Sequence, residues 1–292
     1  MMSVVTIGRP TFRNLLPLAA VAALALAGCT SSRQSSTTAK VGDIDTSSAS
    51  QVNISSLSAV VDQNPADASA YNVRGTAYGK AGKLNEALAD FDKAIQINPA
   101  FYQAYANRAL IHRRKEQDDR ALADYNQAIQ INPSYDVAYI GRGNIYRQRK
   151  QLDLALADFN RAIELDSPDP RAYHNRGLVY QAMGQQQQAI NDFSTAISRA
   201  PNATEPYNAR GLAYLATADY RAALDDFNEV VKRDKESYEG WTNQALALEK
   251  LGEPGKAFNA FARASTINPS YRPAKDGMRR TASARGQSAT QG

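Results

Sequence analysis

The chain has 292 residues, a formal net charge of +5 and a hydrophobic fraction of 43%. Its single cysteine excludes an intrachain disulfide, so cysteine usage does not indicate the redox compartment. One cysteine and two histidines also supply too few ligands for a zinc cluster. The small positive excess is spread along the chain and argues against a nucleic-acid partner. We therefore expect no metal, no other cofactor and no nucleic acid.

The N-terminal segment, residues 1–28, has the composition of a secretory signal peptide. Two arginines precede an apolar run over residues 15–26, which is too short to span a bilayer. The run leads into Leu26-Ala27-Gly28-Cys29, which resembles the lipobox of bacterial lipoproteins. That resemblance implies cleavage before Cys29 and lipidation of its thiol. The alternative is an ordinary signal peptide with a chance cysteine, although the chain has no other cysteine.

The residues after the cysteine bear on the membrane that holds the anchor. Thr30 stands where an Asp usually retains a lipoprotein at the inner membrane, so the resemblance implies the outer membrane, facing the periplasm. The inner membrane and the cell surface are the alternatives. Residues 29–50 are rich in Ser and Thr and predict a flexible tether with a mean reach of about 25 Å.

The rest of the chain repeats itself every 34 residues. The recurring aromatic residues are Tyr71, Tyr105, Tyr139, Tyr173, Tyr207 and Trp241. The small residues four positions later are Gly75, Ala109, Gly143, Gly177, Gly211 and Ala245. A second set of aromatic residues comprises Phe91, Tyr125, Phe159, Phe193, Phe227 and Phe261. With alanine at 87 and its equivalents, and a proline that closes most repeats, this pattern resembles the tetratricopeptide repeat (TPR) family.

The resemblance implies an all-α superhelix of helix-turn-helix repeats. The six predicted repeats are 68–101, 102–135, 136–169, 170–203, 204–237 and 238–271. Each has two apolar runs at helical spacing, and one repeat cannot bury its apolar face alone, so the repeats stack. Residues 51–67 keep the phase of a second helix and predict a half-repeat that covers the first repeat. Residues 272–282 predict a capping helix, and 283–292 a disordered tail.

Five repeats carry an arginine in the first helix and an aspartate sixteen residues later, at equal distances from the hairpin turn. The predicted structural ion pairs are Arg74–Asp90, Arg108–Asp124, Arg142–Asp158, Arg176–Asp192 and Arg210–Asp226. In the sixth repeat both partners change together, to Gln244 and Ala260. We interpret these residues as structural pairs between antiparallel helices. The alternative is a row of unrelated solvated charges.

In the family, peptide ligands lie along a concave face formed by the first helices. Carried over to this chain, the predicted partner-binding positions are Asn72, Lys80, Arg113, Arg114, Asn144, Arg147, Arg171, His174 and Asn208. The middle repeats supply arginines, which suit an acidic or C-terminal peptide segment, and the last two supply acids such as Glu205, Glu239 and Glu249. The Lys/Asn carboxylate clamp of chaperone-binding members is not reproduced. A solvated helix face is the alternative interpretation.

No motif predicts catalysis. His112 replaces a packing tyrosine, and His174 has no nucleophile or carboxylate constellation beside it in the sequence pattern. We therefore expect no catalytic residue and a non-enzymatic adaptor of the bacterial envelope that binds proteins or peptide segments and recruits periplasmic envelope or cell-wall enzymes. The alternatives are a pilotin or outer-membrane assembly factor, and a structural lipoprotein that forms homo-oligomers.

Overall fold

The computed structural model describes residues 51–165 and 167–288, which form fourteen helices and no strand. The helices of repeats one to three are α2 (Ala68–Lys80), α3 (Leu84–Ile97), α4 (Tyr102–Arg114), α5 (Asp118–Ile131), α6 (Asp136–Gln148) and α7 (Leu152–Glu164). Those of repeats four to six are α8 (Pro170–Ala182), α9 (Gln186–Arg199), α10 (Thr204–Ala216), α11 (Tyr220–Arg233), α12 (Tyr238–Lys250) and α13 (Pro254–Ile267). Helix α1 (Gln51–Gln63) precedes them and α14 (Arg272–Ser288) follows. The predicted solenoid of helix pairs is confirmed.

The core is a series of clusters that bridge successive helix pairs, not a single centre. In most repeats a phenylalanine of the second helix, such as Phe159, is fully buried. A glycine of the first helix makes room for this ring: a Cβ on Gly143 would lie 3.0 Å from Phe159. Small residues therefore set the close approach of the paired helices, as their repeat spacing predicts.

All six hairpin turns have a residue with positive φ at the same repeat position. Gly82, Gly184 and Gly252 occupy it in three repeats. The others hold Glu116, Lys150 and Ala218, with φ of 58–61°. In each turn the following N–H donates to a carbonyl five residues back, as from Lys83 to Tyr78 at 2.9 Å. The turn geometry is therefore common to all repeats, although only half of them use glycine.

Each of the five predicted arginine–aspartate pairs is in contact and doubly hydrogen-bonded. In the third repeat, Nε and Nη2 of Arg142 donate to Asp158 at 2.9 and 2.7 Å. Burial raises the pKa of Asp158, whereas its hydrogen bonds raise the pKa of Arg142. Because both bonds end on carboxylate oxygens, we treat the pair as ionised at neutral pH.

The remaining nitrogen of each of these arginines contacts the previous repeat. Nη1 of Arg142 donates to Asn126 at 2.7 Å. The equivalent acceptors for the other four arginines are Ser58, Asp92, Asn160 and Ser194. In repeat six, Gln244 keeps this bond alone and donates to Asn228 at 2.7 Å. These side chains therefore join repeats to each other as well as helices within a repeat.

The first helices lie on the inner side of the stack. In the described ranges, α2, α4, α6, α8 and α10 each contact the first helix of the next repeat, and α12 contacts α14, whereas no two second helices of neighbouring repeats are in contact. Helices that are closer together on one side give the stack an inner face there. This face is therefore built from the first helices.

The C-terminal helix is longer than predicted. Helix α14 covers the predicted cap at 272–282 and continues to Ser288, so the predicted disordered tail from 283 is wrong over 283–288. The polar composition and Gly286 suggested disorder, but a helix that is already nucleated on the array does not pay the cost of nucleation again, and Ala284 and Arg285 favour its extension. The predicted signal peptide, Cys29 and the tether lie outside the described residues. Within them, no helix combines the length and apolarity that a membrane span requires.

Candidate functional site

The inner face contains a cavity of about 540 Å³ over repeats four to six. Its lining comes chiefly from successive first helices, at repeating positions: His174 and Asn208, Leu178 and Leu212, Glu205 and Glu239. The lining thus combines leucines with acids. The recurrence of these positions identifies the inner-face register of the other first helices, where Leu110 is the equivalent of Leu178. Leu110 is 48% exposed.

Two of the predicted groove residues hold neighbouring repeats together. The side chain of Asn72 is buried and accepts a hydrogen bond from Asn107 at 2.9 Å. Arg114 donates to the backbone carbonyl of Gly79 in the previous repeat. One polar group of each side chain is therefore used in an inter-repeat contact. The sequence pattern did not predict these contacts.

The other polar positions differ in how open they are. Lys80 is exposed at the end of α2, and Asn144 is half-buried on α6. Asn208 lines the cavity and accepts from Asn243 at 2.9 Å, which repeats the asparagine pair of the first two repeats. Of the acids predicted on this face, Glu249 pairs with Arg280 of α14 at 2.9 Å. Glu249 is therefore paired with the capping helix.

Three arginines approach one another on the inner face of repeats two to four. Arg171 pairs with Asp169, the N-cap of its own helix. Arg113 and Arg147 have no ion pair with any described residue, and the buried Nε of Arg147 has no hydrogen-bond partner there. Burial and the charge of Arg113 lower the pKa of Arg147. This part of the face therefore carries uncompensated positive charge.

A tyrosine lies beneath these arginines where the other repeats have phenylalanine. Tyr125 is 3% exposed, and its hydroxyl lies near Arg113 and Arg171, whose positive charges act to lower its pKa. Burial raises the pKa of Tyr125, so the hydroxyl is neutral and keeps its proton at neutral pH. The sequence reasoning missed this residue, although the single replacement of Phe by Tyr was a visible signal.

The position of Tyr125 follows from two small-residue substitutions. Repeat two has Ala109 where four repeats have glycine, so the ring lies toward the next repeat and a Cβ on Gly141 would be 2.3 Å from Tyr125. Repeat six has alanine at the same position, and there Phe261 lies equally close to Gly277. Where the first glycine is present, the next repeat has Asn or Ala instead. In four repeats the glycine beside the ring therefore lies on the first helix of the same repeat. In repeats two and six it lies on the first helix that follows, α6 or α14.

The two histidines have different surroundings. His112 is buried, as expected for a packing position, and its Nδ1 hydrogen-bonds with Gln117 at 2.8 Å. His174 is near enough to Arg147 and Glu205 for their charges to affect its pKa, and it packs against Phe193 at 5.7 Å between ring centroids. Burial lowers the pKa of His174 below 6.5, and its buried Nδ1 has no partner among the described residues. His174 is therefore neutral at pH 7.

No group of His, Cys, Asp or Glu side chains in the described ranges has an arrangement suited to a metal ion. The chemistry of the inner face is instead that of binding: exposed leucine, uncompensated guanidinium groups, a neutral hydroxyl and, further along, carboxylates. Such a surface matches a polypeptide that presents both apolar and charged groups.

Comparisons with known sequences agree with this architecture. A tetratricopeptide repeat model matches residues 68–101, 102–135 and 170–203, and two further TPR models match 143–184 and 208–272. No curated protein sequence gives a significant match.

Solved structures with a similar fold are themselves repeat proteins. They include the APC/C hetero-tetramer Cut9–Hcn1 (22% identity, TM-score 0.69, 81% of this chain), of whose matched chain about half (47%) is covered. YrrB, described as a TPR protein with an unusual peptide-binding site, has 24% identity, a TM-score of 0.56 and coverage of 65% and 97%. The type IV pilus biogenesis factor PilW has 16% identity, a TM-score of 0.66 and coverage of 72% and 97%. At these identities the likeness shows the fold alone.

Proposed function

Because the chain belongs to the tetratricopeptide repeat family, we propose that it is a lipid-anchored scaffold of the bacterial envelope that binds partner proteins along its inner face. TPR proteins bind peptides or other proteins and generally serve as non-catalytic scaffolds. The inner face, with its 540 Å³ cavity and the uncompensated arginines beside it, is the observation that carries the binding role. The anchor rests on Leu26-Ala27-Gly28-Cys29 alone.

The proposed anchor explains how a non-catalytic scaffold would act. A partner held about 25 Å from a membrane by a tether of this length has a high local concentration there, without additional contacts. The residue after the cysteine, Thr30, favours the outer membrane, where the bound proteins would be periplasmic envelope or cell-wall enzymes.

A second candidate function is a pilotin or outer-membrane assembly factor. The observation that favours it is the fold shared with PilW, described as a pilus biogenesis factor. The same inner face would then bind a subunit of a membrane assembly. A self-associating structural lipoprotein is a third candidate, for which a mass that rises with protein concentration would be the signature.

The anchor and the binding face can be tested separately in the bacterium that produces the protein. Cys29→Ser should move the chain from the membrane fraction to the soluble fraction and abolish incorporation of labelled palmitate. Retention in the membrane fraction would refute the anchor.

For the binding face, the chain offers a matched pair of exposed leucines: Leu110 on first helix α4 (48% exposed) and Leu154 on second helix α7 (49% exposed). Leu110→Glu should release a co-purifying partner, whereas Leu154→Glu should retain it. Equal effects of the two changes would contradict the assignment of the inner face. The identity of the partner decides between the adaptor and the assembly factor.

A further inference from the structure

We infer that Arg113, Arg147 and Tyr125 form a subsite of the inner face that binds a carboxylate of the partner polypeptide. This inference rests on the proposed function and specifies which chemistry the face recognises. The three residues come from the second and third repeats, and they depart from the repeat pattern in charge or in hydrogen-bonding capacity.

The guanidinium groups of Arg113 and Arg147 carry positive charge without a carboxylate partner. The five arginines between paired helices each have a carboxylate partner, as does Arg171. Arg113 and Arg147 lie near each other without one, and the Nε of Arg147 is buried with no acceptor among the described residues. A buried donor without an acceptor costs free energy, as does like-charge repulsion. An anion bound between the two groups removes both costs.

The hydroxyl group of Tyr125 adds a hydrogen-bond donor to the subsite. The hydroxyl lies close to Arg113 and, being neutral, can donate its proton to an acceptor. The ring reaches this place because Ala109 occupies the glycine position of repeat two and Gly141 leaves space in repeat three. A phenylalanine there, as in the other five repeats, would fill the core equally well. The hydroxyl is therefore an addition that packing does not require.

The residues near the subsite indicate which kind of anion it binds. Three carboxylates lie in the vicinity of the subsite: Asp136 and Asp169 near Arg171, and Glu205 near His174. They would repel an extended polyanion, whereas a single carboxylate fits between two guanidinium groups. Leu110, exposed and three residues before Arg113 on the same helix face, offers an apolar contact to a neighbouring side chain of the same polypeptide. The surroundings favour a peptide carboxylate over nucleic acid.

The test uses substitutions that the array already contains. Arg113→Gln and Arg147→Gln introduce the residue that repeat four has at the same position, Gln181, and Tyr125→Phe restores the residue of the other repeats. We therefore expect all three variants to fold, which circular dichroism checks. Arg120→Gln removes one positive charge from an exposed site on second helix α5 and is the control for net charge.

The probe is a pool of short random peptides, applied to the detergent-solubilised full chain. Selected peptides should share an Asp, a Glu or a free C-terminal carboxylate, and conversion of that group to an amide should weaken binding about tenfold or more. Arg113→Gln and Arg147→Gln should produce a similar loss and Tyr125→Phe a smaller one, whereas Arg120→Gln should produce none. Once the carboxylate is an amide, the arginine substitutions should have little further effect.

Several results would overturn the inference. They are selected peptides without a common carboxylate, an unchanged affinity of the amide forms, or equal losses from Arg120→Gln and Arg147→Gln. Inorganic phosphate that displaces the peptides far better than acetate at equal ionic strength would reassign the site to phosphate groups. If Leu110→Glu releases the natural partner while the Gln variants keep full peptide affinity, the binding face stands and the carboxylate subsite fails. If neither change affects binding, both proposals fail.

Discussion

At the scale of single residues, the paired arginines each join three helices. Arg142 on α6 binds Asp158 on α7 and Asn126 on α5, and the same arrangement recurs in four other repeats. In the sixth repeat Gln244 keeps only the bond to the previous repeat, since Ala260 offers no carboxylate. Repeat six thus shows which pair of neutral residues the array accepts in place of the ion pair.

This gives a prediction for the third repeat. Arg142→Gln should lower the free energy of unfolding by about 3 kcal/mol, because Asp158, with only 6% of its side chain exposed, loses its cation. Adding Asp158→Ala reproduces the residues of repeat six and should restore part of that loss. Urea denaturation of both single variants and the double variant measures the coupling. Strictly additive losses would show that the two residues do not act as a pair.

The neutral state of His174 gives a pH dependence. Its pKa in the folded chain is lowered below 6.5 by burial, with Glu205 raising it and Arg147 lowering it to smaller extents. As the pH falls below about 6.5, the unfolded chain therefore takes up a proton that the folded chain resists, and stability falls. His174→Asn, which introduces the residue found at the equivalent position 208, should lose less stability between pH 7.5 and pH 5. Parallel pH profiles for both proteins would contradict this account.

At the scale of helices and turns, all six hairpin turns have a residue with positive φ at the same position, although only glycine favours that conformation. Lys150 and Ala218 have φ of 59° and 61°, a region that glycine enters more readily than other residues. Lys150→Gly and Ala218→Gly should each raise the free energy of unfolding by roughly 0.5–1 kcal/mol, whereas Gly184→Ala should lower it. Thermal and urea denaturation test both directions. Destabilisation by both glycine substitutions would mean that the turns do not have this conformation.

The packing of Tyr125 between α4 and α6 gives a second prediction at this scale. Gly141→Ala should be destabilising, because the new Cβ would lie 2.3 Å from the ring. Ala109→Gly opens space on the α4 side, at an intrinsic helix cost of about 1 kcal/mol. The double variant should therefore be less destabilised than the sum of the single changes, by more than the roughly 0.5 kcal/mol expected for independent sites. Additive effects would contradict the idea that the ring can move between the two glycine positions.

The sequence predicted the helices of these repeats but not all of the contacts between their side chains. The 34-residue period predicted the helix pairs, because every repeat must bury the same face against its neighbours. The bond from Arg142 to Asn126 could not be predicted, since it depends on the angle between successive repeats. Nor could the hydrogen bond of Asn72, which faces inward but is held by Asn107. The replacement of Phe by Tyr at 125 is visible in the sequence, but the place of the hydroxyl near Arg113 depends on the packing between repeats.

At the scale of the whole molecule, the residues that stack the repeats differ from those that we propose to bind a partner. The paired arginines and buried phenylalanines stack the repeats, while the inner-face positions are free to vary, and they change from arginines in the middle repeats to acids in the later ones. A stack of this kind presents one continuous face to an extended partner. The proposed anchor at Cys29 would hold that face near a membrane through a tether of about 25 Å.

We propose that the inner face is the surface with which this protein binds its partner. The most direct measurement is photo-crosslinking in the native bacterium, with a photoreactive residue at Leu110 or, as the matched control, at Leu154, followed by mass spectrometry of the adducts. Adducts to another envelope protein from Leu110, with none of them from Leu154, is the predicted result. The same adducts from both positions, from Leu154 only, or only between copies of this chain would contradict the claim.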